Sequence, residues 1–211
     1  MTELDIIAQC FLFLLAGYDT TATTMSWVAY LLAMNPEVQD RCREEVLEVA
    51  GDSGSISWDV IQYKMPYLEA TINETMRIFP AAPRVDRHCG EDYKLSDQVT
   101  IPKDAAVSVP IYAIHHDPEY YPNPEEFQPE RFLGDEKSKR NPFTWLAFGY
   151  GPRNCIGMRF AVYEMKLCLA NILRQFKLTP CDKTEKYPPK LNSIRGLLNA
   201  ENPIWLGIQS R

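Results

Sequence analysis

Residues 148–157 read Phe-Gly-Tyr-Gly-Pro-Arg-Asn-Cys-Ile-Gly, and an apolar pattern of helical period follows directly. Glycines let the backbone bend closely around a side chain, and the N–H groups at a helix N-terminus stabilise negative charge. This loop therefore predicts that Cys155 is held as a thiolate. A buried structural cysteine beside a glycine-rich turn stays open as the alternative for the cysteine taken alone.

A thiolate among backbone donors is a soft, strongly donating ligand, which suits haem iron. Arg153 precedes the sulfur by two residues, where its guanidinium is placed to meet an anionic haem propionate. A string with this many fixed positions is also rare at average residue frequencies. The loop as a whole favours a haem-binding protein.

A stretch without proline, residues 4–34, predicts one long helix. Its middle, Ala16-Gly17-Tyr18-Asp19-Thr20-Thr21, opposes helix propensity, the glycine alone by roughly 1 kcal/mol. Threonine hydroxyls bond to the i−4 carbonyl and bend a helix, which leaves a groove for water or O2, and Asp19 beside Thr20 offers a proton chain. The plainer interpretation is a packing stretch with a solvent-facing aspartate.

The whole pattern predicts a mainly α protein with small β-sheets, an α+β unit without internal repeats. A second helix is expected over 35–50, begun by Asn35 and Pro36 and broken by 51–55, and a third over 67–79. Strands of a small sheet are expected at 98–101 and 106–109, followed by an irregular meander over 118–145 and, at the end of the chain, strands at 176–179 and 204–208. The last helix is expected from just after Cys155 to 175, with one apolar side formed by Phe160, Tyr163, Leu167, Ala170 and Leu173.

The 211 residues have the composition of an ordinary folded domain, 45% hydrophobic and 24% charged. A net charge of −6 argues against nucleic acid as a partner. The longest apolar run, residues 6–17, is shorter than the roughly 20 residues of a bilayer span, so we expect a buried helix there and no signal peptide. Six cysteines without paired spacing predict reduced thiols.

Residues 148–157 match Phe-x-x-Gly-x-Arg-x-Cys-x-Gly at every fixed position, and so resemble the cysteine signature of the cytochrome P-450 superfamily. Residues 16–21 resemble its distal-helix motif. Glu74 and Arg77, with Arg131 of the meander, resemble its helical ion pair and third partner, although Glu-x-x-Arg alone is usually a solvated pair. The resemblance implies the C-terminal part of the cytochrome P-450 fold, with haem b as cofactor.

This resemblance carries the family's roles onto particular residues. The implied haem contacts are Cys155 on the iron, Arg153 and Arg87 on the propionates, and Phe148, Gly149, Gly157 and Ala16 around them. The implied proton donors are Asp19 and Thr20. The implied structural ion pairs join Glu74, Arg77 and Arg131. The implied substrate contacts are Leu15, Ala82 in segment 81–85 and Leu197 in segment 196–198. For Arg87 a surface arginine at a strand start stays open.

Residues 148–161 and the string Ile-His-His-Asp-Pro at 114–118 look most similar to the animal group of family 3 and thromboxane synthase. That likeness implies a monooxygenase that takes a small lipophilic substrate, O2 and electrons from an NADPH-dependent flavoprotein reductase, on the cytoplasmic face of the endoplasmic reticulum membrane. The chain begins at the distal helix, so we expect residues 1–211 to be a single partial domain, a fragment without the membrane anchor and early helices, that holds haem poorly alone.

Two other functions stay open: a haem-thiolate isomerase of a peroxide, like thromboxane synthase, and a non-catalytic haem-binding or partner-binding remnant. The intact Asp19 and Thr20 pair weighs against the isomerase, which needs no proton delivery to dioxygen. His115 and His116 are neighbours on a helix and point about 100° apart, which argues against a metal site. The basic run 137–140 is predicted to be a solvated loop, with docking of an acidic redox partner as the alternative.

Overall fold

The structure is a computed structural model that describes residues 2–51, 56–194 and 196–211. Its α-helices are α1 Glu3–Met34, α2 Pro36–Ala50, α3 Trp58–Tyr63, α4 Pro66–Ile78, α5 Ile111–His115, α6 Gly134–Lys139 and α7 Met158–Gln175. Its strands are β1 Val85–His88, β2 Tyr93–Lys94, β3 Thr100–Ile101, β4 Ala106–Val109, β5 Phe176–Thr179, β6 Leu191–Ile194, β7 Leu197–Ala200 and β8 Gly207–Ser210. The predicted α+β class is confirmed. Of the predicted break at 51–55, only Gly51 lies within the described residues, and it ends α2.

α1 begins at a capping box, in which Thr2 and Asp5 each accept a hydrogen bond from the backbone of the other. The expectation of a buried helix over residues 6–17 is wrong, because Phe11 is 61% and Leu14 64% exposed. A helix of 32 residues is roughly 48 Å long, and its buried residues all lie in the C-terminal half. By length and composition α1 could also cross a membrane, a test that long core helices pass as well.

The core forms where the C-terminal half of α1 packs with α2, α4 and α7. Its fully buried side chains include Val28, Leu32, Val46, Leu68, Ile72, Leu169 and Leu173. Burial of each such side chain contributes roughly 1.5–3 kcal/mol. Trp27 stacks on Phe79 with ring centroids 4.1 Å apart and joins α1 to the end of α4. The helix that carries the ion pair and the helix that follows Cys155 are therefore fixed against one core.

α2 begins where the sequence predicts, with Pro36 at its first position. The predicted cap differs, because Asn35 makes no side-chain hydrogen bond to α2. Its amide instead donates to the Leu31 carbonyl at 2.8 Å, at the end of α1. Asn35 thus gives the Leu31 carbonyl a second hydrogen bond, since that carbonyl also accepts the Asn35 backbone N–H at 3.0 Å.

α7 buries a different face from the predicted one. Ala170 and Leu173 are buried, but Phe160 is 73% and Leu167 42% exposed. The buried face includes Leu169, which lies nine residues after Phe160 and, at about 100° per residue, on the opposite side of the helix. Apolar spacing alone did not show which side meets the core.

The described strands form four two-stranded antiparallel sheets, β1–β4, β2–β3, β5–β8 and β6–β7, so the predicted small sheet is divided. The strands predicted at 106–109 and 176–179 are confirmed. The one predicted at 98–101 covers only Thr100–Ile101. The last strand begins at Gly207, later than predicted, and the Trp205 carbonyl before it accepts a hydrogen bond from the Thr184 hydroxyl.

The meander is less irregular than predicted, since it contains α6 and short 3-10 helices at Pro129–Phe132 and Pro142–Thr144. The run 137–140 is solvated as expected at residues 137–139, but these residues end α6 and do not form a loop. Arg140 is half-buried, with its guanidinium 4.0 Å from the centre of the Phe132 ring. α3, which the sequence did not reveal, is a six-residue helix with the Ser57 hydroxyl as its cap.

Candidate functional site

The loop around Cys155 leads into a helix as the sequence predicts. Gly149 and Gly151 adopt φ of +69° and +77°, a conformation that favours glycine. The Cys155 N–H donates to the Phe148 carbonyl at 2.9 Å and closes the loop. Gly157, the N-cap of α7, has an ordinary φ of −88° and open space around it, so the backbone does not require glycine there.

Cys155 is exposed, so the alternative of a buried structural cysteine is wrong. Next to it, Ile156 is 85% exposed, and Phe160 one turn further is 73% exposed. Large apolar side chains that lie together at a surface mark a place where an apolar group binds. The exposed thiol is thus followed by exposed apolar side chains.

Two arginines predicted to bind propionates have no carboxylate partner. Arg153 is exposed and makes no ion pair or hydrogen bond with any residue that the structure describes. Arg87 is exposed on β1, and its guanidinium donates to the Asp86 carbonyl at 2.9 Å. Arg84 is the one that pairs with the Asp86 carboxylate, at 3.5 Å. An accessible thiol, an apolar surface and two cations without counter-ions fit the ligand, ring and propionates of haem.

The acid and alcohol of α1 lie on an accessible part of that helix. The Thr20 hydroxyl donates to the Ala16 carbonyl at 2.7 Å, which is the expected i−4 bond, and α1 stays helical throughout this stretch. Asp19 is exposed, as is Leu15 at 49%. Thr21 is buried and packs in the interior, whereas Thr20 is only half-buried.

The predicted ion pairs form a buried cluster. Glu74 and Arg77 have no exposed side-chain surface and make two hydrogen bonds, Nε to Oε2 at 2.8 Å and Nη2 to Oε1 at 2.9 Å. Arg131 lies 3.4 Å from the same carboxylate, and the Gln128 N–H donates to it at 3.0 Å. Burial raises the pKa of the Glu74 carboxyl, and the bonds from Arg77 oppose that rise. The interpretation as a solvated pair is therefore wrong.

His115 is a buried link that the sequence analysis missed. Its Nδ1 lies 3.1 Å from the Arg77 carbonyl, and its Nε2 accepts the Leu146 N–H at 2.8 Å. Burial lowers the pKa of His115 to about 3, so the ring is neutral and Nδ1 carries its proton. The Leu146 carbonyl in turn accepts the Gly149 N–H at 2.8 Å. Hydrogen bonds thus run from the ion pair to the cysteine loop, a path that spacing in the sequence does not reveal.

The two predicted substrate segments are neighbours, because the Leu198 N–H donates to the Ala81 carbonyl at 2.9 Å. Ala82 and Leu197 are both half-buried beside this bond. In contrast, no hydrogen bond or ion pair within the described residues joins Cys155 to the α1 pair or to the two arginines, although α1 packs against α7. The described residues hold no cluster of three metal-binding side chains around His115 or elsewhere.

Comparison with known proteins agrees with this geometry. The family model described as "Cytochrome P450" matches residues 1–207. Over all 211 residues the chain is 44% identical to "Cytochrome P450 3A31" of Mesocricetus auratus, and 43% identical to "Cytochrome P450 3A41" of Mus musculus and to "Cytochrome P450 3A5" of Homo sapiens. It spans 41% of the length of each of these relatives. The chain therefore belongs to the cytochrome P450 family.

Proposed function

We propose that residues 1–211 are the C-terminal, haem-carrying part of a monooxygenase that inserts one atom of O2 into a lipophilic substrate. The observation that carries the proposal is the exposed Cys155 thiol, held by a loop with two left-handed glycines before the N-terminus of α7. Haem b is the cofactor of this family, and it supplies the iron at which O2 is activated, with thiolate donation that favours O–O cleavage. Family membership supports this assignment.

In this proposal Cys155 is the iron ligand, and Arg153 and Arg87 bind the propionates. Phe148 and Gly149 shape the loop around the thiolate, since the Phe148 carbonyl holds the Cys155 N–H. The cluster of Glu74, Arg77 and Arg131 has a structural role behind the loop. Gly157 and Ala16 leave room for the ring, because neither has a side chain beyond Cβ.

Asp19 and Thr20 are proposed to deliver protons. The Thr20 proton lies on Oγ1 and points at the Ala16 carbonyl, so the hydroxyl must rotate away from that carbonyl before it can donate elsewhere. The exposed Asp19 carboxylate is next to it and can restore the proton from solvent. A peroxide isomerase needs no such delivery, so the intact pair favours the monooxygenase.

Electrons are proposed to come from NADPH through a flavoprotein reductase, at the endoplasmic reticulum membrane and on its cytoplasmic face. The proposal rests on the similarity to the 3A relatives and on the exposed cations of α6, Lys137 and Lys139. Arg140 is left out of this docking surface, because it packs on Phe132. Leu15, Ala82 and Leu197 are proposed to contact the substrate.

Cys155→Ala in the full-length protein is expected to abolish the thiolate-type Soret band of the reduced, carbon monoxide-bound form. The reason is that alanine offers the iron no thiolate ligand. The same absorption spectrum is recorded for Cys168→Ala as a control. This variant removes an exposed thiol of α7 and is expected to keep the band. A histidine-type band in the parent protein contradicts the proposal.

Thr20→Ala is expected to uncouple the reaction, with more hydrogen peroxide and at least about tenfold less product per NADPH, since positioned acid–base groups contribute about 10²–10⁴-fold. The measurement uses 7-ethoxycoumarin as a lipophilic probe. Ser26→Ala is a matched control, because Ser26 makes the same i−4 bond, to the Ala22 carbonyl at 2.8 Å. Equal product yield in Thr20→Ala and Ser26→Ala contradicts the proton role of Thr20.

A further inference from the structure

A groove of about 580 Å³ lies between α4, the meander and the cysteine loop. A smaller cavity of about 230 Å³ adjoins it, and the two share Asn73, Phe132 and Lys137. Cys155, Arg153 and α1 do not line either space within the described residues. The groove thus lies on the side of the cysteine loop formed by Phe148 and Gly149, two proposed haem contacts, and away from Cys155 and the proposed substrate contacts. Its volume is in the range of small-molecule sites, roughly 300–1,000 Å³.

Asn73 is the polar group that points to a ligand. The residue is only 8% exposed, yet its side-chain amide makes no hydrogen bond with any residue that the structure describes. Its backbone carbonyl accepts the Trp145 indole N–H at 3.2 Å. The Asn73 amide is not among the buried polar atoms that lack a partner, so its atoms are open to the groove and can bond to a ligand. Since Asn73 lines both cavities, a ligand there would satisfy the amide.

Aromatic rings form the wall of the groove. The centroids of Phe132 and Trp145 lie 5.7 Å apart, those of Trp145 and Phe148 lie 6.1 Å apart, and both pairs meet edge to face. The bond from the Trp145 indole to α4 holds the middle ring in place. A series of fixed rings suits a flat, aromatic ligand body.

The charge of the groove has one sign. Lys137 and Arg140 line it, and none of the described lining residues is acidic. The Lys137 ammonium lies 3.8 Å from Glu69 and its side chain is 58% exposed, so it remains available at the rim. Cations, an amide donor and apolar walls together select an aromatic anion over a neutral or cationic molecule.

We propose that this groove is a ligand site for a small aromatic carboxylate, with the carboxylate on the Asn73 amide and the Lys137 ammonium and the rings on Trp145 and Phe148. A ligand there would touch Phe148, whose carbonyl holds the Cys155 N–H. A ligand in the site would thus act on the cysteine loop directly, through Phe148.

The test uses biphenyl-4-carboxylate and equilibrium dialysis against the haem-loaded, full-length protein. We expect saturable binding with one site, weakened at least about tenfold by Asn73→Leu, which keeps the volume and removes both polar atoms. Lys137→Glu is expected to weaken binding about fivefold and to leave biphenyl-4-methanol, which has no charge, unaffected. Because Lys137 is exposed, this variant keeps the proposal testable even if Asn73→Leu fails to fold.

Lys139→Glu is the matched control on the same helix, since Lys139 pairs with Asp135 and does not line the groove. It is expected to change the Kd of the probe by less than about twofold. The proposal is overturned if the probe shows no saturable binding. It is also overturned if Asn73→Leu and Lys137→Glu bind the probe as tightly as the wild type does, because that result is expected when the probe binds in the substrate pocket. This readout is independent of monooxygenase activity.

Discussion

Arg77→Met is expected to lower the free energy of unfolding by about 3–5 kcal/mol, because it leaves the Glu74 carboxylate buried without its partner. Both side chains of the pair have no exposed surface. The Arg77 guanidinium also donates to the carbonyls of His115 and Pro124, at 2.9 and 2.7 Å, and these lose their donor. Urea unfolding of the full-length protein, followed by tryptophan fluorescence, measures the change.

Lys94→Met provides a matched control. Lys94 and Asp97 have the same i,i+3 spacing and the same 2.8 Å separation as the buried pair, but both side chains are exposed. We expect a change of less than about 1 kcal/mol there. If Arg77→Met costs no more than Lys94→Met, the cluster does not hold the core.

A double variant separates the charge from the packing. Glu74→Leu with Arg77→Leu is expected to lose less stability than the sum of the two single variants, because no lone charge remains buried. Additive losses would mean that Glu74 and Arg77 act independently. Haem content measured on the same samples shows whether the cluster also supports the cysteine loop.

Local signals predicted the starts and ends of elements well. Pro36 begins α2, and the glycines before Cys155 form the loop, since proline and glycine act through their own backbone angles. The cap differed at Asn35, because its side-chain amide donates to the Leu31 carbonyl of α1 and its side-chain oxygen accepts no N–H of α2. Where one residue stands between two helices, the sequence alone does not decide which helix it caps.

Burial was predicted less well, because it depends on partners distant in the chain. The apolar run at 6–17 has the pattern of a core helix and is exposed, and Phe160 of α7 faces away from the core. Glu74 and Arg77 look like any surface pair at i,i+3. The family resemblance added Arg131 to them, but their complete burial and the contact with Gln128 appear only in the structure. The roles of the haem and substrate residues remain predictions.

His115 is expected to make the protein acid-sensitive. The pKa of its ring is lowered from 6.5 to about 3 by burial, so the folded protein favours the neutral form. The stability that this contributes is complete above pH 6.5 and is lost as the pH falls from 6.5 towards 3, because the unfolded chain binds the proton first. Between pH 7 and pH 5 the loss is about 2 kcal/mol, since each pH unit corresponds to about 1.4 kcal/mol.

His115→Gln is expected to remove this part of the pH dependence, and urea unfolding at several pH values compares it with the wild type. His88→Gln, at an exposed histidine of β1, is the control and should keep the wild-type slope. If the slopes of all three proteins agree, His115 does not titrate on unfolding.

The same histidine connects acid sensitivity to the proposed iron ligand. A proton on Nε2 removes the acceptor of the Leu146 N–H, and the Leu146 carbonyl holds Gly149 at the start of the cysteine loop. His115→Phe leaves that N–H and the Arg77 carbonyl unpaired at all pH values, at a cost of about 1–3 kcal/mol each. We therefore expect the thiolate-type Soret band to be lost in the wild type in acid and in His115→Phe already at pH 7. A stable band in His115→Phe would show that the loop is held independently of His115.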